Sequence, residues 1–275
     1  MDYVVGISWP RSGHHMLVRL LTAYFGPDFG YCDFYGKGDC CRRVPCVCAG
    51  QVNLTKNHDF DLSVPQVAGQ KYLVQYRDFV PSVISNFELH VLNGNPDTPL
   101  SFRRFASLQF DRYRDFAAKW LESDFAKRQL CVDYASLVAD TPRVMSQVVG
   151  WLAPERPRDA ERIDNAIRMI DGEKIETRQV RRLKNAGVHP PRQVAAFRHA
   201  TPGLLDQLGR LRLRRAEVIE AFERLLGRPP REEAMLGFQC LESLDRLQEE
   251  IMRAPEFRTR ARPSAFAQTP GKRLS

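Results

Sequence analysis

The chain of 275 residues lacks a long apolar run, and no stretch approaches the ~18 residues that a membrane-spanning helix needs. Its mean hydropathy is -0.39. A signal peptide has no room either, because a strand-like run over residues 3–8 begins almost at Met1. We therefore expect a cytoplasmic protein without a transmembrane segment. Hydrophobic residues make up 43% and charged residues 27% of the chain, which is enough apolar material for a buried core.

The cysteines lack the paired C-x2-C spacing of a structural zinc site, so no metal site is predicted. Their total of seven is odd, which is a poor basis for a disulfide framework in a chain large enough to bury a core. Five of them crowd into a Gly- and Cys-rich excursion over residues 28–50, at Cys32, Cys40, Cys41, Cys46 and Cys48. We expect reduced thiols there, with a local disulfide such as Cys32 with Cys46 as the alternative.

Acidic residues are scarce in one segment of the chain. The net charge is +8, but residues 178–231 alone hold 13 basic and 4 acidic residues, which gives +9. Such a concentration indicates an anionic ligand or polymer, whereas a solvated helical face is the plainer interpretation. Residues 254–275 are basic and aperiodic, and they are predicted to form a flexible tail.

Internal repeats are also absent, and short strands alternate with helices over the first 150 residues. This order predicts an α/β fold with a central parallel sheet flanked by helices, followed by a helical C-terminal third. Residues 231–253 carry an apolar stripe at helical spacing, which predicts one amphipathic helix. That stripe is expected to pack on the parent domain, and a homodimer through residues 231–253 is the alternative.

The most informative stretch is the loop that follows the first strand, Pro10-Arg11-Ser12-Gly13-His14-His15. A loop between a parallel strand and a helix presents free N–H groups and the positive end of the helix dipole to an anion. The stretch is not a Walker A loop, because His14 and His15 stand where Lys and Ser or Thr are required. A nucleotide phosphate site of another kind is therefore expected.

Several motifs, in order, resemble those of the sulfotransferases that use 3′-phosphoadenosine 5′-phosphosulfate (PAPS). The first is the loop just described, which matches the family's P-[K/R]-S-G-[T/S]-[T/S]-W except at His14, His15 and Met16. The second follows a middle strand and keeps the family's spacing of eight between Arg77 and Ser85. The remaining matches are Lys56-Asn57-His58 to K-T-H, Asp133-Tyr134-Ala135-Ser136-Leu137 to Y-E-D-L, and Phe197-Arg198-His199-Ala200-Thr201-Pro202 to F-T-x-E.

The resemblance implies a P-loop NTPase-like sulfotransferase domain over residues 1–230 and metal-independent, in-line transfer of a sulfuryl group to a hydroxyl. Arg11 and Lys56 would stabilise the charge on the departing phosphate oxygen, and His58 would be the base, with Glu88 and Asp59 as second choices. The residues implied to bind the co-substrate are Arg11, Ser12, Gly13, His14, His15, Arg77, Ser85, Arg182 and Lys184. The last two belong to the best match to the family's R-K-G loop, within the basic segment.

Two other functions stay open at this point. One is a P-loop kinase or other nucleotide-binding phosphotransferase, which the missing Lys-Ser/Thr pair disfavours. The other is a non-catalytic protein that binds a polyanion through residues 178–231 and the tail. Within the leading interpretation we expect a saccharide or glycolipid acceptor and no nucleic-acid partner.

Overall fold

The structure, a computed structural model, describes residues 1–34, 40–172, 174–176, 183–185 and 193–261. The chain divides into two compact units. The first comprises residues 1–97 and 112–200, and the second comprises residues 98–111 and the chain from Thr201 onward. The predicted domain limits at residues 1–230, 231–253 and 254–275 stay a prediction.

The first unit is built on a five-stranded sheet in which every neighbouring pair is parallel. The strands lie in the order β2-β3-β1-β4-β5. They are β1 (Val4–Ser8), β2 (Tyr31–Asp33), β3 (Leu54–Lys56), β4 (Lys71–Tyr76) and β5 (Leu130–Asp133). The predicted α/β class, with a parallel sheet flanked by helices and a mostly helical C-terminal part, is confirmed. β2 lies inside the predicted excursion at 28–50, and at three residues it is too short to give an apolar pattern.

The described residues also form eleven α-helices and a small antiparallel sheet. The helices are α1 (His14–Phe25), α2 (Phe79–Leu92), α3 (Pro99–Ala117), α4 (Tyr134–Ala139), α5 (Thr141–Leu152), α6 (Ala160–Gly172), α7 (Pro202–Gly209), α8 (Arg215–Leu226), α9 (Met235–Gln239), α10 (Leu244–Arg253) and α11 (Pro255–Ala261). The small sheet pairs β6 (Lys174–Glu176) with β7 (Leu183–Asn185). Within the described ranges no helix has both the length and the apolar character that crossing a membrane requires.

Apolar residues cover both faces of the parallel sheet, as a central strand requires. Every residue of β1 is buried, with Val4 in a cluster that includes residues of α1, α5 and α6, and with Val5 and Ile7 in a cluster around Trp120. Gly6 lies between them, and a Cβ there would stand 2.0 Å from the carbonyl oxygen of Thr55. A glycine is therefore needed for β1 and β3 to approach this closely.

The single helix predicted over residues 231–253 is wrong, because the structure has α9 and α10 separated by a break. In a continuous helix the carbonyl oxygen of Gln239 would accept from the N–H of Ser243. It accepts instead from the N–H groups of Arg212 (2.7 Å) and Leu213 (2.9 Å). Ser243 caps α10 instead, and its side chain accepts from the N–H of Arg246.

The apolar stripe of this region packs within the second unit. Leu247 and Ile251 lie in one cluster with Val218 and Phe222 of α8 and are 0% and 3% exposed. The face on which a homodimer would depend is thus covered by the chain itself. Part of the predicted tail is α11, and residues 262–275 lie outside the described residues.

Candidate functional site

The candidate site lies at the carboxyl edge of the parallel sheet. The chain leaves β1 toward β2 and β3 on one side, whereas it leaves β4 toward β5 on the other. The adjacent ends of β1 and β4 therefore form the topological switch point at which open α/β sheets bind ligands. Trp9 to Gly13 follow β1, His58 follows β3, and Arg77 follows β4. The sheet thus brings the predicted motifs to one edge.

The loop after β1 has the geometry of an anion cradle. Arg11 and Gly13 both have positive φ, at 67° and 82°, so the backbone turns sharply into α1. No side chain caps the first turn of this helix of 12 residues. The Ser12 hydroxyl is buried, with the residue 1% exposed, and it has no hydrogen-bond partner. An orphaned hydroxyl beside uncapped N–H groups fits an anionic ligand.

Gly13 is required by a neighbour as well as by its backbone angle. A Cβ at this position would stand 2.7 Å from Cδ2 of the Tyr134 ring, which covers the loop. The same ring stacks against Arg77, whose guanidinium carbon lies 4.5 Å from the ring centre. Tyr134 therefore joins the loop after β1 to the arginine after β4.

Arg11 and Ser85, which belong to different motifs, are in direct contact. Arg11 Nε donates to Ser85 Oγ at 3.0 Å, across 74 residues of sequence. Ser85 lies in α2, one turn after Ser82. A cation, a hydroxyl and the nearly buried Arg77 (7% exposed) are thereby gathered beside the loop.

The imidazole of His14 is held between two protein side chains. Its Nδ1 lies 2.9 Å from Gln75 Oε1 and its Nε2 lies 3.1 Å from the hydroxyl of Tyr31. Burial, followed by the neighbouring Lys56 ammonium, lowers the pKa of His14 to about 3. The neutral ring thus uses both nitrogens on protein groups, and only its backbone N–H at the start of α1 is left for the implied phosphate contact.

His15 and Lys56 lie together at the edge of the site. Lys56 Nζ is 3.3 Å from His15 Nε2 and 3.8 Å from Asp33 Oδ1. Burial lowers the pKa of Lys56, and Asp33 opposes that shift. The pKa of His15 is lowered by partial removal from water and then by the Lys56 ammonium. The lysine is therefore a largely buried cation at the edge of the candidate site.

His58 has one ring nitrogen fixed by the backbone. Its Nδ1 makes a short hydrogen bond to the carbonyl oxygen of Ser8, and Ser8 Oγ lies 3.2 Å from the same nitrogen. A carbonyl can only accept, so Nδ1 carries the proton and Nε2 is the basic nitrogen of the neutral ring. Burial lowers the pKa of His58 to about 4.

The two second-choice bases are engaged elsewhere. Asp59 is 2% exposed and accepts from Trp120 Nε1, Lys119 Nζ and the N–H of Val64, each at 2.7 Å. Glu88 lies 3.8 Å from Arg198 Nη1. His58 therefore presents an oriented proton acceptor, whereas the carboxylate of Asp59 accepts hydrogen bonds that stabilise the turn in which it lies.

The assignments of Arg182 and Lys184 stay predictions. Arg182 lies outside the described residues, and Lys184 lies in β7, where its backbone pairs with Ile175, rather than in a loop. Arg198 and His199, from the match to F-T-x-E, both contact Asp97, at 2.7 Å and 2.6 Å. These two side chains are thus tied to a carboxylate of the same unit.

Four residues of this edge had no assigned role in the sequence: Ser8, Tyr31, Gln75 and Tyr134. The sequence could have indicated Gln75, because a polar side chain near the end of a buried apolar strand needs a hydrogen-bond partner. Ser8 acts through its backbone carbonyl, so its side-chain identity gives no sign of the contact. Tyr31 belongs to the short strand β2, which no pattern indicates.

No family model matches the chain, and no curated protein matches it either. Among solved structures the chain is similar to the mouse sulfotransferase SULT7A1 complexed with PAP (3′-phosphoadenosine 5′-phosphate). The similarity has a TM-score of 0.47 at 14% sequence identity, and it covers 75% of this chain and 83% of the mouse chain.

Proposed function

We propose that the protein transfers a sulfuryl group from PAPS to a hydroxyl of a carbohydrate or glycolipid, without a metal ion. The observation that carries the proposal is the hydrogen bond of 3.0 Å from Arg11 Nε to Ser85 Oγ. It joins the loop after β1 to the motif of Arg77 and Ser85, and the resemblance implies that both bind one co-substrate. The two motifs thus meet, as the binding of one co-substrate by both would require.

The loop supports an anionic co-substrate in three respects. Its Ser12 hydroxyl is buried without a partner, Gly13 admits close approach of the backbone, and α1 begins there without a side-chain cap. Ser12, Gly13 and the backbone N–H of His14 and His15 would hold the 5′-phosphosulfate. Arg77 and Ser85 would hold the 3′-phosphate, as the resemblance implies.

The chemistry follows from what each side chain carries. The co-substrate supplies an activated sulfuryl group, and its transfer leaves negative charge on a phosphate oxygen. Arg11 and Lys56 are the cations that stabilise this charge, and the partial burial of Lys56 strengthens its field. His58 Nε2 takes the proton of the acceptor hydroxyl, while the bond from Nδ1–H to Ser8 holds the ring and its tautomer.

A carbohydrate acceptor is supported by the surface beside His58. The ring of Phe60 is 54% exposed, and its centre lies 5.2 Å from that of His58. An exposed aromatic ring offers an apolar platform for one face of a sugar while the base addresses a hydroxyl at its rim. The resemblance alone leaves the acceptor open.

A polyanion-binding function is less well supported by the described part of the basic segment. Several of its arginines are ion-paired with carboxylates of their own unit: Arg198 with Asp97, Arg210 with Asp206 and Arg215 with Glu232. These pairs reduce the field that a polymer would meet.

Calorimetric titration with PAP and with ADP, both without magnesium, tests the proposal. We expect micromolar binding of PAP, at least tenfold weaker binding of ADP, and a loss of this preference in Arg77→Ala, since a hydrogen bond to a charged group contributes about 1.5–3 kcal/mol. Arg156→Ala is the matched control. Arg156 follows α5 and forms an ion pair with Asp28. The carbonyl of Leu152, the last residue of α5, accepts from the N–H of Asp2, which precedes β1. This end of α5 therefore lies at the edge of the sheet opposite the candidate site.

Three results would contradict the proposal: equal binding of the two nucleotides, a magnesium requirement, or an equal loss in the Arg156→Ala control. Binding that instead falls steeply with salt and tolerates any polyanion would favour the polyanion-binding function.

A further inference from the structure

Four of the clustered cysteines lie in two pairs. Cys32 Sγ is 3.6 Å from Cys40 Sγ, and Cys41 Sγ is 3.7 Å from Cys46 Sγ. All four are free thiols. The pairing differs from the disulfide of Cys32 with Cys46 that the sequence allowed as an alternative.

The arrangement suits sulfur–sulfur bonds better than a shared metal ion. A disulfide needs about 2.05 Å between sulfurs, so each pair has to close by about 1.6 Å, which side-chain rotation can provide. A structural zinc site needs four converging ligands. Among the described residues no group of three or more Cys, His, Asp or Glu is placed to hold a metal ion.

We propose that Cys32–Cys40 and Cys41–Cys46 are two dithiol–disulfide couples, which oxidise in this pairing when the chain meets a small disulfide such as oxidised glutathione. In each couple one thiolate attacks a sulfur of the oxidant to form a mixed disulfide and releases one glutathione thiolate. The second thiolate then attacks the protein sulfur of that mixed disulfide and releases the other glutathione. Two thiol protons and two electrons leave each pair, and the oxidant is reduced to two thiols.

The two couples differ in how readily a thiolate forms. Hydrogen bonds from the backbone of Val47 and Arg43 lower the pKa of Cys41, which makes it the attacking thiolate of its couple, whereas burial raises the pKa of Cys46. Burial, followed by the Cys40 thiol, raises the pKa of Cys32 to about 12. The Cys41–Cys46 bond therefore forms first, because attack requires a thiolate.

The slower couple is connected to the candidate site. Cys32 is the middle residue of β2, and its neighbours reach the site: Tyr31 contacts His14 at 3.1 Å, and Asp33 contacts Lys56 at 3.8 Å. A bond at Cys32 restrains the strand that positions both side chains. If the proposed function holds, this bond preorganises the site and tightens PAP binding, whereas the Cys41–Cys46 bond leaves it unchanged.

Peptide mapping of the full chain tests the pairing when the joined peptides are fragmented between Cys40 and Cys41 and between Cys46 and Cys48. Trypsin cleaves after Lys37, Arg42 and Arg43, which places Cys32, the adjacent Cys40 and Cys41, and Cys46 on three separate peptides. After treatment with oxidised glutathione we expect these three peptides joined by two bonds, with Cys48, Cys131 and Cys240 still open to alkylation. A Cys32–Cys46 species, a bond to Cys48 or intermolecular dimers would overturn the pairing.

Two double variants resolve the couples and the link to the site. Cys41→Ser/Cys46→Ser keeps the slow couple, and its oxidation is expected to tighten PAP binding about threefold or more. Cys32→Ser/Cys40→Ser keeps the fast couple, and its oxidation is expected to change PAP binding by less than twofold. The far-UV spectrum of each reduced variant checks that it folds.

The possible failures can be told apart. If the mapped bonds form as stated and neither redox state binds PAP, the proposed function fails and the thiol pairing stands. If PAP binds and the bonds form but oxidation changes its affinity equally in both variants, the link through β2 is wrong.

Discussion

The ring of His58 donates from Nδ1 to the carbonyl oxygen of Ser8, the last residue of the central strand β1. A backbone carbonyl is an acceptor at every pH, so it selects one tautomer of the neutral imidazole. The nitrogen left basic is Nε2, and the ring that carries it is held by the sheet. This contact gives a histidine in a polar stretch of sequence one tautomer and one fixed orientation.

Replacing His58 with asparagine should separate catalysis from binding. The amide of His58→Asn can still donate to Ser8, but it has no nitrogen in the place of Nε2. We expect sulfuryl transfer to slow by about 10²- to 10⁴-fold, the usual contribution of general-base catalysis. PAP affinity, measured by calorimetry, should change by less than threefold. Equal losses of turnover and affinity would remove His58 from the base role.

Binding of PAP should raise the pKa of His58. The value of about 4 reflects burial and the nearby Lys56 ammonium, whereas a bound polyanion favours the protonated ring. NMR titration of the ring protons should show an increase of at least one unit in the PAP complex, and no increase with uncharged adenosine. Because the pKa of His58 is higher in the complex, PAP binding is coupled to uptake of a proton by His58 at pH values between about 4 and the raised pKa. An unchanged or lowered pKa in the complex would place the ligand elsewhere.

His14 should make the protein sensitive to acid. Its pKa of about 3 in the folded chain lies below the ordinary value of 6.5, so the unfolded chain binds the proton more readily. The stability that depends on a neutral His14 is complete above pH 6.5 and is lost as the pH falls toward 3. Between pH 6.5 and 5 the loss from this residue is about 2 kcal/mol.

Urea unfolding at both pH values measures that loss. The variant His14→Gln keeps polar groups near Gln75 and Tyr31 and cannot titrate. It should show a smaller decrease in the free energy of unfolding between pH 6.5 and 5 than the unmodified chain. The same decrease in both proteins would mean that other groups control acid unfolding.

The carboxylate of Asp59 should be important for stability rather than for chemistry. It is buried, and it accepts from Trp120 Nε1 and Lys119 Nζ inside a turn where Asp59 and Leu62 both have positive φ. Removing it leaves the ammonium without its ion pair and the turn without its anchor. Asp59→Ala should therefore lower the free energy of unfolding by about 3–5 kcal/mol.

The neighbouring carboxylate provides the control for this prediction. Asp61 is exposed, and its side chain accepts from the N–H and the hydroxyl of Ser63, two residues further along the chain. Asp61→Ala should cost less than about 1 kcal/mol in the same denaturant titration. Similar losses from Asp59→Ala and Asp61→Ala would show that the buried network contributes little.

The sequence was sufficient to predict the strands and helices whose apolar spacing is regular. β1 and β4 are buried runs with charged or polar residues at their ends, and α1 has leucines at helical spacing, so local pattern and tertiary position agree. The loop after β1 could be identified from two residues that end the strand. Pro10 has no N–H to donate, and Gly13 allows the positive φ that the turn into α1 needs.

The rest depended on contacts between distant parts of the chain. β2 and β3 have three residues each and are defined by pairing rather than by pattern. The sequence leaves open whether His14 meets a phosphate through its backbone N–H or its imidazole, and the positions of Gln75 and Tyr31 turn the imidazole inward. Such partners become visible only when the sheet brings them together.

The carbonyl oxygen of Gln239 has a consequence for any shortened form of the protein. It receives the N–H groups of Arg212 and Leu213, so a chain that stopped at residue 230 would leave both donors unsatisfied. It would also expose Phe222 and Leu226, which Leu247 and Ile251 help to bury. The C-terminal helices are thus an integral part of their unit, and truncation before them should give an aggregation-prone product rather than a smaller folded protein.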